Sequence, residues 1–491
     1  MAKQKIFLLS PFIAKEYAYT NNENSSLNFI RFYLEDNGYS AEIIDCSKYD
    51  EDYNTVIGLL KTTADPIVGV TAYTRERFHA YRLIHRLRNE IPESLIVTGG
   101  HHFGFLAEET LLKMPEVDIV VRGEGEITFK EICDYRIMGT VELESIQGIS
   151  YKKNGSIVHN SDRPVELNID LFRNYDAKNI VEYTPTSVTK LDPLHKYFTV
   201  TASRGCPNQC VFCSLKSDRV RFRSVSSIIE EIKAKIDATS IHYVKFRDPS
   251  LTIKESFLKE LCERIIDENL NIKFRCYSRV NINVEILHLM RRAGLISVEI
   301  GLESASPKVL KSVKKNINLK QFVNFVIEAH NLGIKIYVFC MVSLPDETLD
   351  DVNMTIGLIR KIAPYISYAG LQTTRILPDA SLYSMAKERG VIPADFCWFS
   401  SFSRESTEDV DRRYDSLPVY YEHLTAKQIV QKVKEFNQAM ETFSTINIVF
   451  LRKAQFREFF RLQNYLRLFR KIFHAFKNKL IRRFDSQINY G

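Results

Sequence analysis

Three cysteines lie close together near the middle of the chain, in the stretch Thr-Ala-Ser-Arg-Gly-Cys-Pro-Asn-Gln-Cys-Val-Phe-Cys-Ser that begins at residue 201. Cys206, Cys210 and Cys213 have the spacing C-x-x-x-C-x-x-C. Thiolates are the usual ligands of iron-sulfur clusters, and a cubane cluster normally takes four of them. Because no fourth cysteine is near, the spacing predicts a 4Fe-4S cluster with one iron open to a substrate. A structural zinc site is the alternative, but the sequence shows no second pair of ligands for it.

The segments around the cysteines predict a barrel. The apolar run at 196–201 predicts a strand, and Gly205 and Pro207 predict a loop after it. Strand and helix patterns then alternate through residues 196–390, and six such repeats favour an open (β/α)6 barrel of the TIM type. Catalytic residues of such barrels lie on the loops that follow the strands.

The first 139 residues show a related alternation. Five short apolar runs are separated by helical patterns, which predicts a doubly wound parallel sheet of the Rossmann or flavodoxin type. Ligands bind such sheets at the carboxyl ends of the strands, where Gly99, Gly100 and Gly123 would gather. Glycines allow the backbone to approach a bulky ligand closely. The fold class is therefore α/β, with a sheet domain before the barrel.

A linker at 140–195 separates the two domains. A C-terminal cap at 391–445 and a basic amphipathic helical tail at 446–491 follow the barrel, so the C-terminal region is predicted to be helical. The net charge of +7 is concentrated in the tail, where residues 452–483 contain eleven Lys or Arg side chains and one acidic side chain. The body is therefore near neutral, which argues against a nucleic-acid partner. The tail is expected to dock on an anionic membrane surface or a partner protein, or to pack on the barrel.

No apolar stretch approaches the roughly 20 residues of a membrane span, and the first residues are too short and strand-like for a signal peptide. The protein is expected to be cytoplasmic. Through its tail, it could also bind peripherally to the inner face of the membrane. Six further cysteines are scattered through apolar surroundings, which favours reduced core residues over disulfides.

The cysteine stretch, with Phe212 before its last cysteine, resembles the cluster loop of radical S-adenosylmethionine (radical SAM) enzymes. In that family the open iron chelates SAM, and an electron from the cluster cleaves it to a 5′-deoxyadenosyl radical. The resemblance implies a flavodoxin or ferredoxin as electron donor. It also implies SAM-contacting residues at Phe212 and after successive barrel strands, namely Asp248, Arg279, Glu299, Gly301 and Glu303. Ordinary barrel ion pairs are the alternative for the charged ones.

Two barrel loops depart from the family pattern. Ser-Leu-Pro-Asp-Glu-Thr at 343–348 stands where the family usually has G-L-P-G-E-T. Pro-Asp-Ala-Ser at 378–381 stands where the family often has P-x-P-G-T. We interpret these differences either as adaptation of the loops to a substrate or as sequence divergence in turns without a functional role.

The N-terminal half resembles the cobalamin-binding domain of cobalamin-dependent radical SAM proteins, on Gly-Gly-His-His at 99–102 and Arg-Gly-Glu-Gly-Glu at 122–126. The resemblance implies that the corrin ring lies over the strand ends and contacts Gly99, Gly100, His102, Gly123 and Glu124. The D-x-H-x-x-G signature is absent, so no histidine from that motif would lie below the cobalt. A sheet that only packs against the barrel is the alternative.

Taken together, these resemblances imply a cobalamin-dependent, class B-type radical SAM methyltransferase. Its cofactors would be a 4Fe-4S cluster, S-adenosyl-L-methionine and methylcobalamin, and its target an unactivated carbon of a small molecule. A lipid-like compound and a natural-product intermediate both remain open as substrates. The alternatives are a cobalamin-using cyclase or rearrangement enzyme and a non-catalytic cobalamin or iron-sulfur sensor. RNA methylthiolation is disfavoured because that family carries a further set of cysteines in its N-terminal domain.

Overall fold

The chain divides into two units, Met1–Phe436 and Asn437–Gly491. The computed structural model describes residues 5–12, 25–173, 196–215, 217, 219–399 and 417–455. In the second unit, residues 437–455 are helical, and the rest of the predicted basic tail lies outside the described residues. Among the helices of the described residues, none is both long enough and apolar enough to cross a bilayer.

The N-terminal domain is built on a seven-stranded sheet with the order β2-β1-β3-β4-β5-β6-β7. Strands β1 to β5 are parallel, and their register pairs Thr71 with Gly99, so the carboxyl ends of β3 and β4 lie side by side. The strands are β1 (Ile6–Ser10), β2 (Ala41–Asp45), β3 (Ile67–Thr71), β4 (Leu95–Gly99), β5 (Ile119–Val121), β6 (Ile149–Lys153) and β7 (Ser156–His159).

Helices cover both faces of this sheet. Alternate side chains of a strand point to opposite faces: Phe7 and Leu9 join one apolar core, while Ile6 and Leu8 join the other. The helices are α1 (Ser25–Asp36), α2 (Asn54–Leu60), α3 (Arg77–Glu90), α4 (Gly100–Phe103), α5 (Ala107–Lys113) and α6 (Glu126–Cys133). This doubly wound arrangement confirms the predicted fold class of the N-terminal domain.

The hairpin of β6 and β7 extends this sheet. β6 pairs antiparallel with β5, with Tyr151 opposite Ile119. Tyr151 and Ile149 are buried with the sheet's core. Sequence analysis placed these residues in the linker, because a hairpin pattern alone does not tell which strand it will pair with.

The second sheet is the predicted barrel, with six parallel strands in the order β15-β14-β13-β12-β11-β8. This open arrangement confirms the predicted (β/α)6 barrel. β9 and β10 form a separate antiparallel pair after β8. The strands are β8 (Phe198–Val200), β9 (Ser203–Arg204), β10 (Arg221–Phe222), β11 (Tyr243–Phe246), β12 (Lys273–Ser278), β13 (Leu295–Glu303), β14 (Lys335–Val342) and β15 (Tyr368–Thr373).

Each barrel strand buries alternate residues against the surrounding helices. Val244, Cys276 and Ile300 are almost fully buried, whereas their neighbours Lys245, Tyr277 and Glu299 lie on the inner face. The helices are α7 (Val225–Thr239), α8 (Glu255–Asp267), α9 (Val284–Arg292), α10 (Pro307–Ser312), α11 (Leu319–Asn331), α12 (Leu349–Ile362), α13 (Ser381–Glu388) and α14 (Ala426–Gln455).

A buried ion-pair network joins α7 to β8. The Glu231 carboxylate is fully buried and accepts hydrogen bonds from Arg223 and, at 2.7 Å, from the Lys235 ammonium. Lys235 also donates to the Thr199 carbonyl in β8 at 2.9 Å. Buried charges need such pairing, because their desolvation is otherwise uncompensated. The network therefore holds the strand that leads into the cysteine loop.

Replacing Glu231 with alanine should lower stability by about 3–5 kcal/mol, because it would leave two cations buried without their carboxylate. The measurement is the shift in the urea midpoint and in the apparent melting temperature. Glu263→Ala is the matched control, since it removes an exposed pair with Lys259 at 3.8 Å and should change stability by about 1 kcal/mol or less. Equal stability of the two variants would show that the network contributes nothing to the fold.

Candidate active site

The three predicted ligand cysteines lie on one compact loop between β9 and β10. Gly205 begins this loop with a φ of +90°, and a Cβ there would lie 2.8 Å from the carbonyl oxygen of Arg219. Only glycine fits without a shift of the backbone. The loop is closed by two backbone bonds, from Ser217 to the Cys206 carbonyl at 2.8 Å and from Cys213 to the Cys210 carbonyl at 3.1 Å.

The sulfur atoms are free thiols in a setting that suits metal binding. The Asn208 amide donates to Cys206 Sγ at 3.3 Å, and the Leu215 backbone donates to Cys213 Sγ at 3.3 Å. Burial raises the pKa of Cys210 and of Cys213, while the nearby positive charge of Lys315 acts against this for both. Hydrogen bonds to sulfur and nearby cations both stabilise the thiolate form that binds metal. The loop therefore fits an iron-sulfur cluster.

Residues between the cysteines fix the loop to the barrel. The Val211 backbone N–H donates to the Val313 carbonyl at 3.1 Å, and its own carbonyl accepts from Leu382 at 2.8 Å. Val211 is almost fully buried among apolar side chains of α10 and α13, and Phe212 packs against the same cluster. Phe212 is thus held beside the cysteines, and its contact with SAM stays a prediction.

Asp248 holds the start of the cysteine loop. It follows β11, and its carboxylate accepts hydrogen bonds from the Ala202 backbone at 3.1 Å and from the Ser203 hydroxyl at 2.6 Å. Burial raises the pKa of Asp248 to about 6, although these hydrogen bonds favour its charged form. These hydrogen bonds show that Asp248 positions the loop. They do not test its predicted contact with SAM, which stays a prediction.

Several predicted SAM contacts gather beside the cysteine loop. Glu303 ends β13 with a φ of +62° and pairs with Lys315 at 2.9 Å. A Cβ on Gly301 would lie 2.2 Å from the Glu303 carboxylate, so a side chain at 301 would displace this pair. Arg279 donates to the Asn316 carbonyl at 2.7 Å. The positive charges of Lys315 and Arg279 both favour ionisation of Cys210 and thereby act against its raised pKa.

Glu299 lies farther down the inner face of the barrel, where sequence reasoning missed its partners. It is 3.6 Å from the Lys245 ammonium, and burial lowers the pKa of this lysine to about 8. The pKa of Tyr277 is raised, by burial and by the negative charge of Glu299 and a hydrogen bond to it. The alternation of β11 and β12 was the available signal, since it places Lys245 and Tyr277 on the same face as Glu299.

The strand-end surface of the N-terminal domain carries the predicted glycines. Gly100 has a φ of +81°, and a Cβ there would lie 2.3 Å from the Thr71 hydroxyl. Gly123 has a φ of +79° and open space where a Cβ would be. Gly99 ends β4 beside Gly100. Gly100 therefore lets the end of β4 pack closely on β3, whereas Gly123 leaves open space at the strand ends, which fits a bulky ligand such as a corrin ring.

His102 points away from this edge. It is fully buried, and its Nε2 shares a hydrogen bond with the Tyr81 hydroxyl. Burial keeps the pKa of His102 well below its ordinary value, so the ring is neutral. Its predicted contact with a cofactor stays a prediction. The neighbouring residue His101 is the more exposed of the two histidines.

The fifth predicted strand-end residue, Glu124, is part of a charged clamp to the cysteine loop. Arg221 of β10 binds its carboxylate through two hydrogen bonds, at 2.6 and 2.9 Å. Arg204 of β9 lies 3.4 Å from Glu124 and 2.6 Å from Glu126. Burial opposes ionisation of Glu124, yet these cations hold its pKa below the ordinary value. Sequence reasoning missed both arginines. Their pairing joins the two domains at the cysteine loop.

The cap segment also binds the N-terminal domain. The Trp398 backbone and the Cys397 thiol donate to the Glu109 carboxylate, at 2.8 and 3.1 Å. Phe399 stacks on Tyr81 with 4.4 Å between ring centroids. Trp398 and Phe399 thereby complete the core of the sheet domain.

A second cluster of ligand-type groups joins Asp346, on the loop after β14, to Glu422 and His423, in the segment before α14. Arg389 already pairs with the two carboxylates, at 3.0 Å to Asp346 and 2.7 Å to Glu422. Because a guanidinium occupies the position a cation would take, this cluster is an ion-pair network.

Comparison with known proteins agrees with both halves of the site. Residues 200–359 match the radical SAM superfamily, and residues 16–133 match the B12 binding domain. The chain is 32% identical over 354 residues to the uncharacterized methyltransferase PH0819 of Pyrococcus horikoshii, covering 71% of this chain and 75% of the relative. It is 27% identical over 347 residues to an anaerobic magnesium-protoporphyrin IX monomethyl ester cyclase of Rubrivivax gelatinosus, covering 68% of this chain and 61% of that protein.

Solved structures share the fold. The radical SAM methyltransferase TsrM of Kitasatospora setae, solved with cobalamin and a [4Fe-4S] cluster, has a TM-score of 0.68 at 17% identity, covering 89% of this chain and 91% of TsrM. OxsB, a cobalamin-dependent radical SAM enzyme solved with aqua-cobalamin and SAM, has a TM-score of 0.66 at 17% identity, covering 88% of this chain and 66% of OxsB. Together with the relative from Pyrococcus, these findings show that the chain belongs to the cobalamin-binding-domain-containing radical SAM family, the family of the cobalamin-dependent radical SAM methyltransferases.

Proposed function

We propose that this chain transfers a methyl group to an unactivated carbon of a small molecule held between its two domains. The clamp from Arg204 and Arg221 to Glu124 carries the proposal, because it brings the open strand-end surface of one domain to the cysteine loop of the other. A substrate bound between them could reach both cofactors. When bound, the cluster with SAM supplies hydrogen-atom abstraction, and cobalamin supplies the methyl group.

The protein's own part is to position these groups. Asp248 holds the first residues of the cysteine loop, and Val211 fixes its middle. Gly123 keeps the opposite surface open to a flat ligand, and Gly100 lets the loop after β4 pack closely on Thr71 at the end of β3. The cap segment at Trp398 and Phe399 ties the C-terminal region to the sheet domain. Rigid placement of two cofactor sites is what a reaction between them requires.

The test is anaerobic incubation of reconstituted full-length protein with hydroxocobalamin, a reductant, cell extract and SAM labelled in its methyl group. We expect 5′-deoxyadenosine and a labelled small molecule. The Cys206→Ala, Cys210→Ala, Cys213→Ala triple variant should lose about four irons and both products. Cys397→Ser is the control and should keep them, because this cysteine lies outside the loop and bonds to Glu109.

The same experiment separates the alternative activities. The cyclase relative favours a ring closure as the second candidate, and deoxyadenosine without methyl label in any product would support it. A sensor would form no deoxyadenosine. Full iron content in the triple variant would overturn the cluster assignment itself.

The clamp gives a second prediction. Glu124→Gln should lower methyl transfer by about tenfold to a hundredfold, because a displacement of about 1 Å between reacting groups has an effect of this size. Because Glu124 is itself a predicted cobalamin contact, turnover is compared at equal iron and cobalamin content, so that a loss reports the relative position of the two sites and not their occupancy. Glu144→Gln is the control, because this carboxylate pairs with Lys153 at the exposed end of β6. Equal turnover of the two variants would show that the clamp does not position the cofactors.

We also propose a peripheral location at the inner face of the membrane, through the basic tail. Full-length protein should sediment with phosphatidylglycerol vesicles at low salt, with an attraction of roughly 1 kcal/mol per basic residue near the surface. High salt should release it only in part, because the apolar stripe of the tail is insensitive to screening. Protein cut after Thr445 should stay in solution. A lower melting temperature of the cut protein with unchanged vesicle binding would instead mean that the tail packs on the protein.

A further inference from the structure

The strand-end surface carries an exposed pair of rings that the sequence analysis did not assign. Tyr73 follows β3 and His101 follows β4, so both lie at the carboxyl ends of neighbouring parallel strands. The rings are stacked, with 5.7 Å between centroids and an interplanar angle of 13°. Tyr73 is 46% exposed, and the His101 side chain is 40% exposed. This pair is therefore part of the surface that the domain offers to a ligand.

His101 has a partner from the barrel domain. Its Nδ1 lies 3.4 Å from a carboxylate oxygen of Asp379, whose side chain is only 3% exposed. Asp379 belongs to the Pro-Asp-Ala-Ser loop after β15, which departs from the family pattern. A carboxylate that accepts a hydrogen bond from Nδ1–H fixes the tautomer and leaves the lone pair on Nε2. Within the described residues, this Nε2 has no hydrogen-bond partner.

The same arrangement is found behind histidines that bind metals, where a carboxylate orients the ring and raises the basicity of the ligating nitrogen. Here the ring lies where the domain would hold the corrin, so we propose that His101 binds the cobalt of cobalamin through Nε2. Asp379 positions His101 from the barrel side, and Tyr73 limits rotation of the ring by stacking on it. This inference rests on the proposed function, because it requires that cobalamin binds at the strand ends.

This assignment supplies a histidine that the absent D-x-H-x-x-G motif does not. The adjacent His102 cannot take the role, because it is buried and its Nε2 bonds to Tyr81. Coordination by His101 would also make cobalamin binding depend on a residue of the barrel, since Asp379 comes from the other domain.

The test is electron paramagnetic resonance of full-length protein loaded with hydroxocobalamin and reduced to the cobalt(II) form. Coordination by a single nitrogen splits the cobalt lines, and the splitting pattern should change when the protein is made with ¹⁵N-histidine. His101→Ala should lose the splitting while it still binds cobalamin. Asp379→Ala should weaken the splitting and should lower cobalamin affinity by no more than His101→Ala does, because Asp379 acts only through that histidine. His288→Ala is the control, because this histidine pairs with Glu328 on the outer helices.

The outcomes separate the inference from the function. If cobalamin binds but the spectrum shows no nitrogen splitting, the role of His101 is overturned. The same holds if the splitting does not change with the histidine label, because it then comes from the cofactor's own base. Neither outcome affects the proposed function. A splitting that changes with the label but survives in His101→Ala assigns the ligand to another histidine and also overturns the role of His101. Failure of the wild-type protein to bind cobalamin overturns both the inference and the proposed function.

Discussion

The arrangement of the site depends on the ion pairs between the sheet domain and the β9–β10 hairpin. Arg221 binds Glu124 in the bidentate geometry that guanidinium and carboxylate groups favour. Arg204 adds a second carboxylate, Glu126, and its guanidinium lies 4.5 Å from the centre of the Phe29 ring. Both arginine side chains are largely buried, so these pairs are screened by solvent far less than surface pairs are. The hairpin that carries the cysteines is thereby fixed to the edge that would carry the corrin.

The cysteine loop is held from its other sides by neutral contacts and by one carboxylate. Asp248 bonds to its first residues and Val211 joins it to α10 and α13, so contacts within the protein position the loop. Preorganisation of this kind reduces the entropy lost when ligands are ordered around a cluster. The buried Glu231 network has a similar effect one strand earlier, because Lys235 bonds to the backbone of β8.

The sequence predicted what depends on local pattern. Apolar runs separated by helical patterns were sufficient for both sheets, and the cysteine spacing was sufficient for the loop, because these signals are contained in a few consecutive residues. It did not predict the clamp, since Arg221 and Glu124 are 97 positions apart and each alone is an ordinary charged residue. The pairing of β6 with β5 was missed for the same reason. Contacts between distant residues become visible only once the topology has brought them together.

The histidine pair illustrates how one residue step decides a role. Both histidines lie in the short helix α4, where successive side chains are rotated by about 100° around the axis. If one ring points into the core, its neighbour must point elsewhere, and here that direction is toward Asp379 of the barrel. The motif points to both His101 and His102 but does not tell which of them faces the ligand, because it carries no information on which face of α4 packs on β3. The buried member contributes its ring to a neutral aromatic core with Tyr81 and Phe399, whereas the more exposed member keeps a nitrogen available for chemistry.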